Sequence, residues 1–287
     1  MDGLQTACML LPPTWGQALH AFPQAEEIRL RVGHRPRLII GGKEKVFTEE
    51  TICEDMLHQL LIKASSGSLH TVEDQLRSAF LVYRGLRIGI CGEGISDSSK
   101  CKGFRRFSSL AIRIPHETIS IDESLLDTLY TSKRWSCLIC SPPGGGKTSL
   151  LRRMIRDFSA RGVRVGVIDE RCELAAVTAG EVSFDLGPCS DILSGLSKQT
   201  AAAMLLRGMN PQIIAMDEIT TAEDVALIRD LTGCGVEIFA TAHGSSRTDM
   251  LRRPVYRSLF EAGSFLNCVR IETKDGTRHY TLERMEI

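Results

Sequence analysis

The stretch SCLICSPPGGGKTSLLRRMIRDF, residues 136–158, decides the architecture. Its first five residues are small or apolar and read as a short buried strand. Leu150, Leu151, Met154, Ile155 and Phe158 then recur at helical spacing and mark one face of an amphipathic helix. Between strand and helix lies SPPGGGKT, 141–148, which follows the pattern GxxxxGK[ST] at every position but the first. A glycine-rich loop in this place leaves backbone N–H groups free to surround phosphate at a helix N-terminus. Pro143, Gly144, Gly145, Gly146, Lys147, Thr148 and Ser149 are therefore the candidate nucleotide contacts. Lys147 is expected to bridge the β- and γ-phosphates of ATP, and Thr148 to ligate Mg2+. Ser141 stands where the first glycine is expected. It starts the turn rather than approaching phosphate closely, so binding is expected to be weakened, not abolished.

Downstream, IIAMDE at 213–218 buries four apolar residues and then presents Asp217 and Glu218 at a strand end. Asp217 is expected to hold a magnesium-bound water, and Glu218 to orient or deprotonate the attacking water. VIDERCE places Asp169, Glu170 and Glu173 at another strand end, and VEIFAT runs into His243. Taken singly, such acids are usually solvated loop charges, and a lone histidine is more often structural than catalytic. VRVGVID, IIAMD and VEIFAT alternate with helical stretches, which implies a mostly parallel sheet covered on both faces. Asp275-Gly276 between NCVRIET and TRHYTLE predicts a hairpin.

Upstream, residues 1–115 read as a smaller α+β domain. In EEIRLRV, 26–32, Ile28, Leu30 and Val32 alternate with Arg29 and Arg31, the pattern of a half-buried strand with a basic outer face. Residues 49–64 have helical spacing, with Ile52, Met56, Leu60 and Leu61 on one face. Thr71 is a candidate cap for a short helix opening TVEDQL. RIGICGEG and SSLAIRIP read as strands, and SDSSKCKG, 96–103, as a mobile loop. Residues 115–133 read as a linker into the second domain, 116–287.

Bulk properties narrow the function. The 287 residues carry 35 basic and 35 acidic side chains, so no global charge draws the chain to nucleic acid or anionic lipid. No segment approaches the ~18 consecutive apolar residues of a membrane span, and MDGLQTACMLLPP does not read as a secretory signal. The ten cysteines are scattered, and Cys137 and Cys140 form a CxxC with no second pair or nearby histidine to complete a metal site. Buried reduced thiols in a reducing cytoplasm are expected.

Together these motifs resemble the secretion ATPase superfamily, the RecA-like hexameric motors of type II and type IV secretion and pilus retraction. Asp169-Glu170 resembles its acidic box, PQIIAMDE its Walker B region and TAHGSSRTDMLRR its histidine box. EIRLRVGHRPRLI, RIGICGEG, RFSSLAIRIPHE and VIDERCELA resemble, more closely, the stage III sporulation protein AA family of endospore formers. Ser141 departs from that family's usual P-loop glycine, and Cys172 stands where it tends to have serine.

The resemblance implies an α/β fold, a RecA-like P-loop core with a smaller N-terminal α+β domain. It implies an ATPase using ATP and Mg2+, with Glu218, Lys147, His243 and Glu170 in catalysis and Thr148, Asp217 and Asp169 around the metal. Arg87 and Arg113 resemble arginines that secretion ATPases place near the γ-phosphate. The resemblance further implies a six-membered ring in the cytoplasm of the mother cell, working with the membrane-embedded channel that links it to the forespore. The competing reading is a nucleic-acid-dependent RecA-like ATPase using the basic stretch Arg29, Arg31, Arg35 and Arg37. Only 6% of residues are aromatic and none interleaves with those arginines, which argues against it.

Overall fold

The computed structural model describes residues 3–65, 67, 76–97, 100–115, 123–178, 181–182, 184–244, 247–274 and 277–284. The chain folds as two compact units, Met1–Thr118 with Ala176–Ser183, and Ile119–Ala175 with Phe184–Ile287.

The first unit contains helices α1 (Gly3–Leu10), α2 (Pro13–Leu19) and α3 (Glu54–Ala64). Its strands are β1 (Glu27–Arg31), β2 (Arg37–Ile40), β3 (Lys43–Val46), β4 (Phe80–Tyr83), β5 (Leu86–Asp97) and β6 (Lys100–Arg113). They form a six-stranded sheet in the order β3-β2-β1-β6-β5-β4, antiparallel throughout. Within β1 the period-2 pattern has its expected effect: Ile28 and Leu30 join a core with Trp15, Leu57, Ile88 and Ile112, and Arg29 and Arg31 face outward. Val32, expected on the buried face, lies past the end of the strand and is exposed.

Three local expectations change. The expected loop at 96–103 is largely strand, because β5 and β6 stay paired as far as Asp97↔Lys100. Backbone pairing does not require an apolar side-chain pattern, so this polar ribbon is silent in the sequence. The ribbon slips register beside Gly92, where a Cβ would lie 2.0 Å from the Arg106 carbonyl oxygen, so only glycine lets the strands close. Helix α3 begins at Glu54 rather than at 49. Ile52, buried ahead of it, is tied instead to the turn after β1 by Ile52 N–H to His34 O (3.0 Å) and Gly33 N–H to Ile52 O (2.9 Å). Thr71 lies outside the described residues. The stretch expected to be a linker contains a helix, α4 (Glu123–Tyr130).

The short antiparallel pair β9 (Val177–Thr178) and β10 (Glu181–Val182) clusters with the first unit. The second unit alternates β7 (Cys137–Ser141), α5 (Lys147–Ala160), β8 (Val165–Asp169), β11 (Ser190–Ser194), α6 (Lys198–Gly208), β12 (Ile213–Met216), α7 (Ala222–Gly233) and β13 (Glu237–His243). Helices α8 (Arg247–Leu251) and α9 (Pro254–Glu261) and the hairpin β14 (Asn267–Lys274)–β15 (Thr277–Arg284) complete it. The sheet order is β11-β8-β12-β13-β7-β14-β15. All neighbours are parallel except the final hairpin pair. A parallel sheet is buried on both faces, and β7, β8 and β12 are accordingly buried along their whole lengths. On one face Phe158 of α5 meets the rings of Phe239, Tyr130 and Trp135 at 5.0, 5.4 and 5.7 Å. Those contacts fix the helix that follows the glycine-rich loop.

The CxxC cysteines do not pair with each other. Cys140 Sγ lies 3.5 Å from Cys268 Sγ on the neighbouring strand β14, and both are free thiols. Burial pushes the Cys137 thiol far above its usual range, which keeps it neutral. No helix among the described residues is long and apolar enough to cross a membrane.

Candidate active site

Because β7, β13, β12 and β8 run parallel and adjacent, their C-terminal ends share one edge of the sheet. Open α/β sheets bind ligands at that edge. Gly144 (φ +76°) and Gly146 (φ +93°) adopt left-handed conformations that a side chain would strain. Gly145 makes room for Ser141: a Cβ at 145 would lie 2.3 Å from the Ser141 hydroxyl. The Ser141 hydroxyl is buried and donates to Pro142 O at 2.9 Å, so the serine is turned into the loop's own backbone. Gly146 is the N-cap of α5 and offers no side-chain bond, which leaves the first amides of the helix open.

Lys147 is buried, yet its ammonium touches no carboxylate among the described residues. It donates to Ser141 O (3.2 Å), Pro142 O (3.4 Å) and His243 Nδ1 (3.0 Å). An ammonium can only donate, so Nδ1 accepts and the proton of neutral His243 sits on Nε2. Nε2 lies 3.0 Å from Glu218 Oε1. Cation, imidazole and carboxylate thus form one chain across three strand ends. Burial pulls the Lys147 pKa below that of an ordinary lysine, with Glu218 and Asp217 opposing the shift.

Asp217 is held from two sides. Thr148 Oγ1 donates to its Oδ2 at 3.3 Å and Thr241 Oγ1 to its Oδ1 at 2.8 Å. The hydroxyl and carboxylate are hard oxygen donors that suit Mg2+, which keeps several waters and takes few protein ligands. Among the described residues no trio of histidine, cysteine or acidic side chains forms a metal cage; a magnesium site completed by substrate phosphate requires none. Asp169 is engaged by backbone amides. Its buried carboxylate accepts the amides of Glu173 (2.7 Å), Leu174 (2.8 Å) and Ala175 (2.9 Å) and so pins the turn after β8. Glu170 is exposed and lines the same cleft as Asp217 and Glu218.

Two residues the motif reading missed support this edge from below. Lys198 at the start of α6 donates to the Glu218 carbonyl oxygen at 2.6 Å and to Asp224 Oδ2 at 2.9 Å. Asp224 Oδ2 also accepts the amides of Thr220 (2.9 Å) and Thr221 (3.2 Å). Asp224 and Thr221 form the capping box of α7. Burial alone would raise the Asp224 pKa; the Thr220 amide and Lys198 overcome it and the net shift is downward. Tyr256 adds a bond from its hydroxyl to Ile219 O at 3.0 Å. The sequence TAED, 221–224, carries the capping-box signal, but nothing local to Lys198 announces its partner.

Arg87 and Arg113 belong to the first unit and are directly opposed across β5 and β6. Arg113 lies 3.4 Å from Glu27, and the Arg87 guanidinium sits 4.7 Å from the centre of the Phe80 ring. Each arginine of the basic stretch in the same unit has a carboxylate within ion-pair distance, with Glu44 shared by two of them. Arg29 pairs with Glu27, Arg31 and Arg37 with Glu44, and Arg35 with Glu49.

Residues 15–280 match the family model described as sporulation stage III, protein AA. The chain belongs to that family. It is 32% identical over 268 residues to stage III sporulation protein AA of Bacillus subtilis (strain 168), covering 89% of this chain and 87% of that relative. Among solved structures it is similar to the ATPase DotB of Legionella pneumophila, with TM-score 0.62, 17% identity, and 95% of this chain and 80% of that one covered. The pilus retraction motor PilT with bound ADP is equally similar, with TM-score 0.62, 17% identity, and 93% and 81% covered. Likeness at this identity establishes the fold, a RecA-like P-loop core with a smaller N-terminal α+β domain. For this family member, replacing Lys198 with Met strands Asp224 as a buried unpaired charge. The expected cost is about 3 kcal/mol or more, read as a lower urea midpoint; an unchanged midpoint contradicts the role given to the pair.

Proposed function

We propose that the chain binds ATP with Mg2+ and hydrolyses it to ADP and phosphate. The observation that carries this reading is the convergence of Lys147, Thr148, Asp217, Glu218 and His243 on one sheet edge in two linked hydrogen-bond sets. The loop amides and the N-terminus of α5 cradle the phosphates. Lys147 exchanges His243 and the loop carbonyls for the β- and γ-phosphates. Thr148 and Asp217 hold the magnesium, which supplies charge neutralisation when bound. Asp169, its carboxylate engaged by three amides, bears on that shell through the turn it pins, and Glu170 stands at the mouth of the cleft. Glu218 accepts the proton of the attacking water. His243 holds Glu218 through Nε2 and registers the γ-phosphate by losing the Lys147 donor at Nδ1.

The wider role rests on family membership and on likeness to an ATPase and to a pilus retraction motor. On that reading the chain works as a six-membered ring at the cytosolic face of a sporulation channel between mother cell and forespore. It docks there on membrane proteins, and Arg87 and Arg113 reach a γ-phosphate across a subunit boundary. The nucleic-acid-dependent alternative loses its main support, since its four arginines are already paired with carboxylates.

Glu218→Gln keeps a polar side chain but removes the base. It is expected to retain ATP affinity and lose roughly 100-fold or more in kcat; turnover near that of wild type removes Glu218 from the mechanism. The trans arrangement is tested by mixing Lys147→Ala chains with Arg113→Ala chains. Each is inactive alone, and a mixed ring pairs an intact loop with an intact arginine, so activity should partly return. No recovery in mixed oligomers whose assembly is verified by mass excludes Arg113 as a group acting between subunits.

A further inference from the structure

The C-terminal hairpin reaches the phosphate loop. Strand β14 runs parallel to β7 and beside it, so both strands end at the same edge of the sheet. The chain then reverses between Lys274 and Thr277. Arg278, opposite Thr273 in the ladder, is thereby delivered at the level of the glycine-rich loop. A Cβ placed on Gly146 would lie 3.1 Å from Arg278 Cζ and Nη1 and 3.2 Å from Nε. The guanidinium therefore rests against the bare face of the residue that caps α5, and a side chain at 146 would displace it.

The electrostatics of this placement are unusual. Neighbouring hairpin cations have partners, since Arg270 lies 3.1 Å from Glu283 and Lys274 3.6 Å from Glu272. Among the described residues Arg278 makes no ion pair. It is half-buried, and Tyr280 stands two residues along the same strand face. A guanidinium held at a helix N-terminus already rich in positive dipole gains nothing from the protein itself. It is poised for an anion, and its planar fork suits phosphate oxygens.

We propose that Arg278 is a phosphate-binding residue supplied by the same subunit, contacting the polyphosphate of the bound nucleotide from the hairpin side of the loop. The inference rests on the nucleotide reading given above. It differs from the roles of Arg87 and Arg113 in needing no neighbouring chain.

The test is calorimetric titration of full-length wild type, Arg278→Gln and Arg278→Lys with ADP and with AMP. Arg278→Gln should weaken ADP binding about tenfold, the scale of one charge-assisted hydrogen bond. AMP, with fewer phosphate oxygens in reach, should lose less. Arg278→Lys should recover part of the loss. Unfolding midpoints without nucleotide should stay near that of wild type, which separates binding from scaffolding. Equal ADP affinity in wild type and in both Arg278 variants overturns the inference and leaves the nucleotide reading intact. An equal loss for ADP and AMP also overturns it, because that marks a general distortion of the loop. If wild type binds no ADP, the nucleotide reading itself fails and this inference with it.

Discussion

A buried ammonium without a carboxylate in contact is the constraint around which the second unit is built. Lys147 is 8% exposed, and its charge is borne by two loop carbonyls and one imidazole nitrogen. Such a group is costly to desolvate, and its lowered pKa records that cost. The arrangement makes physical sense if the missing counter-charge arrives from outside as phosphate. The glycines that open the loop, the uncapped first turn of α5 and the guanidinium of Arg278, which makes no ion pair among the described residues, point the same way. Each leaves positive potential unanswered at one place.

Holding so much unsatisfied charge demands a rigid edge. The segment after β12 is pinned by Lys198, Asp224 and Tyr256, so the carbonyl of Glu218 and the turn into α7 cannot drift. Thr241 fixes Asp217 from the adjacent strand. Asp169 does the same for the turn after β8. What remains free to move is the Lys147–His243–Glu218 chain, whose first link must break for phosphate to bind. On the proposed reading, nucleotide arrival at one end is communicated to the carboxylate at the other through a single ring.

The parts of this site that were legible in the sequence are those encoded locally. The strand, loop and helix at 136–158 and the acidic pair ending IIAMDE each declare themselves within a few residues. Taken singly, His243 and the acids Asp169 and Glu170 were ambiguous. The contact of His243 with Lys147 follows from β13 lying beside β7, with His243 opposite Ser141 in the ladder, and no short window of sequence states that adjacency. Lys198, Thr241 and Arg278 were invisible for the same reason. The polar ribbon at 96–103 was misread because its order comes from backbone pairing rather than side-chain burial. The basic face of β1 looked like a phosphate-binding surface until the acids on neighbouring segments were located.

The most direct measurement is the calorimetric affinity of the wild-type chain and of Lys147→Ala for ATP in the presence of magnesium. If the triphosphate is the counter-ion that the buried ammonium lacks, wild type binds and the variant loses about tenfold or more in affinity, the scale of a charged hydrogen bond. Equal affinity in the two proteins, with both shown to be folded, would contradict the account.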